Sequence, residues 1–432
     1  MTIEKILSNV NIALFILGWI TTIFFYQRRK KNFDAGSVLL FSYLFYAIMS
    51  LCLYNNPYYK FNSIEIFPFI YLFLMLMLTF SPILRYDYNK IDKIHKPPAL
   101  YLNFVCILFI IPSLMQIPYI ISNFAGSIFR LLLDSAGGQD LYNEAMAEST
   151  SLGDGNISNL SSIISNAYGN FGILLFFYYL TLNKRNKFIL IGLFISCIIS
   201  ILSNITMGQR GPIFEIMLSM VITYFALRKF YQPKVNKIIR NIGIAFLIIT
   251  SIPIIALTVS RFGESDAGSE SSVLFYAGQE NLYFNNYGLD NGGVRYGDRT
   301  FPLFKKMLGF ENVPDNFWER RSKYPNLQIN DEVFIGFIGD FTLDFGPFIA
   351  PIIFIFFIIF ILNKTIVRNK VILFHQLILL HFVMSLCMLG GMKLYPFSDV
   401  GGNLQLVMYF LAFLFFKLVY EYSLKRQRKS LI

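Results

Sequence analysis

Charge is scarce in this chain. Only 15% of its 432 residues are Asp, Glu, Lys or Arg, against roughly 25% in soluble domains, which excludes a soluble enzyme and a disordered chain. Histidine occurs three times. The four cysteines, Cys52, Cys106, Cys197 and Cys387, each sit inside an apolar run, with no C-x-x-C spacing among them. That excludes a disulfide-rich secreted domain and a redox or zinc motif, and the thiols read as small buried hydrophobes. The P-loop, the Rossmann glycine fingerprint and the serine triad are also missing. No acid or His cluster has ligand spacing, so neither a cofactor nor a metal is expected. Energy for any reaction has to come from the substrate or from a gradient.

Long apolar runs are abundant. Hydrophobic residues make up 55% of the chain, roughly 240 positions, and eleven membrane spans need roughly 220. Runs of spanning length cover about 7–26, 36–54, 64–84, 98–121, 160–182, 188–206, 211–229, 240–260, 345–363, 371–391 and 403–423. Inside lipid every backbone donor and acceptor must be satisfied within its own segment, so these runs are helices. Barrel-type alternation is absent. The expected fold is a single all-α polytopic membrane domain over 1–432 with about eleven transmembrane helices. The first run lacks a cleavage site and is followed by Arg28, Arg29, Lys30 and Lys31, which predicts an uncleaved span with a cytoplasmic basic flank. With a periplasmic N-terminus and a cytoplasmic C-terminus, inner segments hold 23 of the 37 basic residues. Of the 13 outside, eight lie in one long loop, where the positive-inside rule has little force. Topology thus accounts for most of the net charge of +11, and no nucleic-acid partner is expected.

Two outer segments are long. Residues 122–159 form the first large periplasmic loop, rich in Gly, Ser, Asp and Asn; residues 261–332 form the main one, rich in Tyr, Asn, Gly and Arg. Loops of this length are usually functional or disordered, and the aromatics at Phe301–Leu308 and Phe317–Tyr324 predict short helices in the second.

Chemistry-bearing residues gather at the outer ends of spans. In Met207-Gly-Gln-Arg-Gly-Pro-Ile-Phe-Glu215, Gly211-Pro212 opens a helix beside Arg210. Free N–H groups at a helix start attract anions, and the arginine fork suits diphosphate or carboxylate. The plainer alternative is an interfacial Arg reaching headgroups. Arg261 follows the next outward span, where it can converge with Arg210 on one pyrophosphate. Glu215, one turn further in, is an ionisable residue inside a span. The main loop adds Arg295, Arg299, Arg320 and Arg321, with acids such as Glu280, Asp290 and Asp298; for Arg320 and Arg321 ordinary loop ion pairs are expected. Tyr276, Tyr283 and Tyr287 are candidate platforms for sugar rings. Asp340 and Asp344, four apart and on one helical face, either orient a sugar hydroxyl or act as a base, or simply complement a helix dipole. Gly336, Gly339 and Gly346 beside them permit close packing or a broken helix. His375 and His381 have poor metal spacing and are expected to pack.

Three stretches carry a family resemblance: Gln209-Arg210-Gly211 at a helix start, Tyr276-Ala-Gly with Gly297-Asp-Arg-Thr-Phe301 in the long loop, and Asp344-Phe-Gly346 opening a very apolar span. In their order, across most of the chain, the sequence resembles the O-antigen (oligosaccharide repeat-unit) polymerases of the Wzy type. The resemblance implies a metal-independent, lipid-linked-donor (GT-C-like) glycosyltransferase of the bacterial inner membrane, working on the periplasmic side. Its substrates would be undecaprenyl-pyrophosphate-linked glycans, within membrane lipid, and a chain-length regulator protein would be a partner. Arg210 falls where the family's helix-start arginine binds pyrophosphate, and Arg261 where a second outer arginine is expected. A paired-arginine signature described in some members does not occur at either position. The related O-antigen ligases use a His in the large outer loop; residues 261–332 contain none, which favours a polymerase. A flippase or other transporter, the rival from another class, would not need a long arginine-rich outer loop and would be expected to break or charge its helices at mid-membrane.

Overall fold

A computed structural model describes residues 3–86, 90–133, 141, 157–262, 268–330 and 333–429. It is helical apart from one short parallel ladder. The helices are α1 (Ile3–Lys30), α2 (Ala35–Tyr54), α3 (Ile66–Arg85), α4 (Ala99–Leu114), α5 (Ile117–Leu133), α6 (Ile157–Thr181), α7 (Lys187–Thr206) and α8 (Arg210–Leu227). After α9 (Pro233–Phe262) come α10 (Gly268–Tyr287), α11 (Pro302–Met307), α12 (Phe317–Lys323), α13 (Gly336–Lys364), α14 (Phe374–Leu389) and α15 (Asp399–Lys429). The ladder pairs β1 (Lys93–His95) with β2 (Val371–Leu373), Ile94 opposite Ile372; nothing in the apolar pattern announces it.

Among the described residues eight helices are long and apolar enough to cross a membrane, or nine if α4 and α5, bent by 46°, form one broken span. By length and hydropathy this is a multi-pass membrane protein. The remaining two of the eleven expected runs fall on α8, which has 18 residues with Arg210 and Glu215 in its first turns, and on α14, with 16. At 1.5 Å per residue α14 is about 24 Å long, short of the roughly 30 Å hydrocarbon core. Large apolar side chains such as Leu14, Phe24, Ile248, Ile252, Phe348, Ile352 and Phe356 stand exposed on α1, α9 and α13, a surface suited to lipid rather than water.

The chain folds into two compact, discontinuous units. The first takes in Met1–Lys90, Glu270–Arg368 and Leu379–Val407. Trp19 on α1 is its aromatic hub, 5.4 Å from Tyr43, 5.0 Å from Phe73 and 6.1 Å from Phe80. The α1–α2 turn is fixed by a capping box: Ser37 N donates to Asp34 Oδ1 at 2.9 Å and Asp34 N to Ser37 Oγ at 3.1 Å. The second unit takes in Ile91–Ser269, Asn369–Ile378 and Met408–Ile432. There α4 packs on α6 and α7, and α8 on α6, α7 and α9.

Most of the main outer segment lies in the first unit. The short helices α11 and α12 form on its two aromatic stretches, while α10 is a 20-residue helix where only loop was expected. Its polar face docks on α2: Asn281 Nδ2 donates to Ser50 Oγ at 3.0 Å, and Ser50 Oγ to Gly278 O at 2.8 Å. One turn on, Asn285 grips the backbone before α3, accepting from Glu65 N and donating to Glu65 O at 2.9 and 2.7 Å. Of the segment 122–159, residues up to Leu133 continue α5; 134–140 and 142–156 lie outside the described residues.

Candidate functional site

α13 is two helices in one. At Gly346 the backbone has φ +79° and ψ 163°, a region essentially reserved for glycine, and Pro347 starts the apolar part. The ten residues before the break are short, and every side chain from Phe337 to Asp344 is buried. Asp340 and Asp344 sit one turn apart on this stub, both at zero exposure.

The segment 261–332 supplies their partners. Arg295, also fully buried, places NH2 2.9 Å from Asp340 Oδ1 and Nε 2.6 Å from Asp344 Oδ1. Arg299 Nε lies 3.1 Å from Asp340 Oδ1. Backbone donors complete the cradle: Tyr395 N to Asp340 Oδ2 and Thr300 N to Asp344 Oδ2, both at 2.8 Å, while Arg295 N donates to Leu343 O at 3.0 Å. Asn403 clips the far side, donating to Thr300 O at 2.8 Å and accepting from Leu303 N at 3.1 Å. Two arginines and two aspartates cancel in charge, the usual condition for ions taken out of water. Gly297-Asp-Arg-Thr-Phe301 is therefore the plug of a latch. Phe301 fills an aromatic box with Phe341, Phe345 and Tyr395, at ring distances of 5.8, 6.1 and 6.2 Å.

Beside the latch, Asp298 takes Lys305, Lys323 at 2.6 Å and the Tyr324 hydroxyl at 2.8 Å. Burial pulls its carboxyl upward, but these hydrogen bonds outweigh it and hold Asp298 below the usual carboxylate range. The Tyr324 hydroxyl is pushed up by burial and by that carboxylate.

Glu280 lies elsewhere in the same unit. It is buried on α10, and its Oε2 meets no hydrogen-bond partner among the described residues. A side-chain carbon on Gly336 would collide with its carboxyl group. Burial raises the acid well above its ordinary value, which favours its neutral form. Tyr276 leans on Phe334, ring to ring at 5.4 Å.

Arg210 and Arg261 belong to the second unit. Arg210 is the first residue of α8, half-buried, after a turn in which Gly208 has φ +63°. Its N-cap residue, Gln209, makes no side-chain cap, and a carbon added at Gly211 would meet no described atom within 4 Å. Arg261 is in the last turn of α9, the neighbour of α8; its side chain lies outside the described residues. Thr250 Oγ1 reaches Met217 Sδ at 3.3 Å, which sets the antiparallel register of the two helices. That register puts Arg261 about one turn, roughly 6 Å, beyond the level of Arg210.

The sequence-chosen residues thus divide. Arg295, Arg299, Asp340 and Asp344 come together; Glu280 and Tyr276 stand apart from that cluster; Arg210 and Arg261 share one end of a helix pair. Arg320 makes the expected loop ion pair, 3.3 Å from Asp399. Sequence reasoning assigned no role to Thr300 and Tyr395, which act here through backbone groups, or to Asn403, whose side-chain amide bonds the backbone around it. Among the described residues no three His, Cys, Asp or Glu side chains gather as metal ligands do. Set beside protein families, curated proteins and solved structures, the chain matches none of them.

Proposed function

We propose that this protein polymerises polyprenyl-pyrophosphate-linked oligosaccharide repeat units at the outer face of the bacterial inner membrane, as an eleven-span glycosyltransferase with its N-terminus in the periplasm. The observation that carries the reading is the head of α8: an arginine at a helix start whose N-cap residue Gln209 makes no side-chain cap and where a carbon on Gly211 would meet no described atom within 4 Å, with a second arginine ending the neighbouring helix. Such a start already favours an anion, and a guanidinium beside it binds phosphate oxygens through two donors at any pH.

The chemistry asks little more. An acceptor sugar hydroxyl attacks the anomeric carbon of the donor glycan; the bond from that carbon to the pyrophosphate oxygen breaks, and the electron pair leaves with the phosphate. Pyrophosphate is a good leaving group, so the main need is fixed positive charge where negative charge builds, in a site of low dielectric. Arg210 and Arg261 supply it. The hydroxyl proton passes to a carboxylate or to water. Of the candidates, Asp340 and Asp344 are committed to the latch as it stands, and either meets a hydroxyl only after residues 295–300 lift away; Glu280 as a neutral acid orients by donating. Arg295 and Arg299 hold the outer segment over the membrane surface, and Tyr276 offers a ring for a sugar.

Deleting the gene and resolving surface lipopolysaccharide by size tests the reading. Single-repeat caps support it. Loss of all repeats with lipid-linked polymer accumulating makes the protein a ligase, and single lipid-linked units trapped inside the cell make it a flippase.

A further inference from the structure

A cavity of about 430 Å³ borders α12 in the first unit, within the roughly 300–1,000 Å³ of small-ligand sites. Trp318, Arg320, Arg321, Tyr324, Gln328 and Asn330 contribute to its wall, and none of the described lining residues is acidic. The chain has two tryptophans. Trp19 is fully buried, whereas Trp318 is 73% exposed, its indole steadied edge-on by Phe317 at 5.0 Å. The two arginines differ in the same way. Arg320 is buried and its charge is answered by Asp399 at 3.3 Å; Arg321 is exposed and makes no ion pair among the described residues.

The wall therefore offers a bare aromatic plane, one guanidinium with no ion pair among the described residues, and the planar amide of Gln328. Each answers a different part of one kind of ligand. The C–H face of a pyranose lies on an indole, amides serve ring hydroxyls as donor and acceptor, and a carboxylate takes the fork of Arg321. Inorganic phosphate would leave the indole unused, and a lipid tail would leave the Arg321 charge unanswered.

We infer that this cavity binds an acidic sugar, a hexuronate residue of the glycan that the protein handles. The inference rests on the glycan-polymerising reading for its biological setting, but binding is measurable without turnover. The full-length protein in detergent micelles is titrated with glucuronate-, galacturonate- and mannuronate-containing tetrasaccharides, with uncharged tetrasaccharides of glucose, galactose and mannose, and with inorganic phosphate, following tryptophan emission. At least one uronate should give a saturable change, with its neutral counterpart roughly tenfold weaker or worse and phosphate silent. Arg321→Ala should weaken the uronate by roughly tenfold, Arg321→Lys by less, and Trp318→Phe should remove the signal. Equal affinity for charged and neutral sugars, no response to any uronate, displacement by phosphate, or an unchanged Arg321→Ala would each overturn the inference. Failure of the two ideas is distinguishable. Uronates that do not bind a protein whose deletion leaves single-repeat caps sink only the cavity; full polymer after deletion sinks only the polymerase.

Discussion

Arg295 is the residue on which the segment 261–332 turns, because it faces both aspartates of the α13 stub. Removing it leaves two buried carboxylates with one cation between them. Arg295→Ala should destabilise the protein by about 3–5 kcal/mol, the cost of breaking a buried pair by taking one partner. A double-mutant cycle in thermal melts checks the origin: Arg295→Met with Asp344→Leu should lose much less than the two single losses added together. If the losses simply add, the pair is not coupled. Titration gives a second check. Asp298 has its carboxyl held low, so its contribution is full above the ordinary value of 3.8 and disappears as pH falls through the lower, folded value. Glu280 runs the other way: its carboxyl is held high, so the folded state is penalised increasingly as pH rises above the ordinary 4.5. Glu280→Gln should therefore melt higher than the parent at about pH 8, with the gap closing toward about pH 4; a gap that widens in acid contradicts this. Much of the cluster was readable as separate halves. The four-residue spacing of Asp340 and Asp344 put both on one face, and Arg295 and Arg299 stood out as loop cations. What joined them was not readable, since the pairing crosses 45 positions and the segment offers several other arginines and lysines as partners.

At the scale of elements, two helix starts carry the argument. The α13 break depends on a conformation that any side chain resists, so Gly346→Ala should cost about 1–3 kcal/mol and loosen the latch on the stub before it. Protease cleavage within 295–330 should accelerate in the variant, and an unchanged cleavage rate would show that the stub holds its position without the break. The head of α8 bears on function instead. Arg210→Ala trims a half-buried side chain at a helix end and should leave the protein at normal levels, yet stop chain growth and leave single-repeat caps. One donor to developing charge is typically worth about 2.7–4 kcal/mol, or roughly 10²–10³ in rate. Arg210→Lys keeps the charge without the fork, so shorter chains are expected. Full-length polymer from Arg210→Ala protein at normal abundance would reduce Arg210 to an interfacial anchor. Gly211-Pro212 made this helix start visible in the sequence. The 20-residue α10 was not visible, because Asn281 and Asn285 dock by hydrogen bonds to α2 and to the chain before α3, and polar docking leaves no apolar stripe to detect.

At the scale of the whole molecule, apolar length was the strongest signal, and it found every long helix that now meets the length and hydropathy expected of a span. It misled where a run includes more than helix. Residues 371–373 are apolar enough to extend the tenth run, but they form the ladder with β1, which leaves α14 with 16 residues. The run at 98–121 likewise holds a 46° bend, with Pro112 inside α4 and Pro118 opening α5. Neither feature alters the parity of crossings if α8 and the bent pair each traverse once and α14 completes its crossing with flanking residues. Under that condition the basic clusters sort to one side, with Lys184, Arg185 and Lys187 inside, as well as Lys364, Arg368 and Lys370. A reporter placed after Lys187 or after Lys370 should therefore read cytoplasmic, and one inserted at the exposed Gly292 should read periplasmic. A periplasmic signal at Lys187 would put the head of α8, which follows one helix later, on the cytoplasmic face. There Arg210 would have no lipid-linked glycan to meet, and the proposed reaction would lose its site.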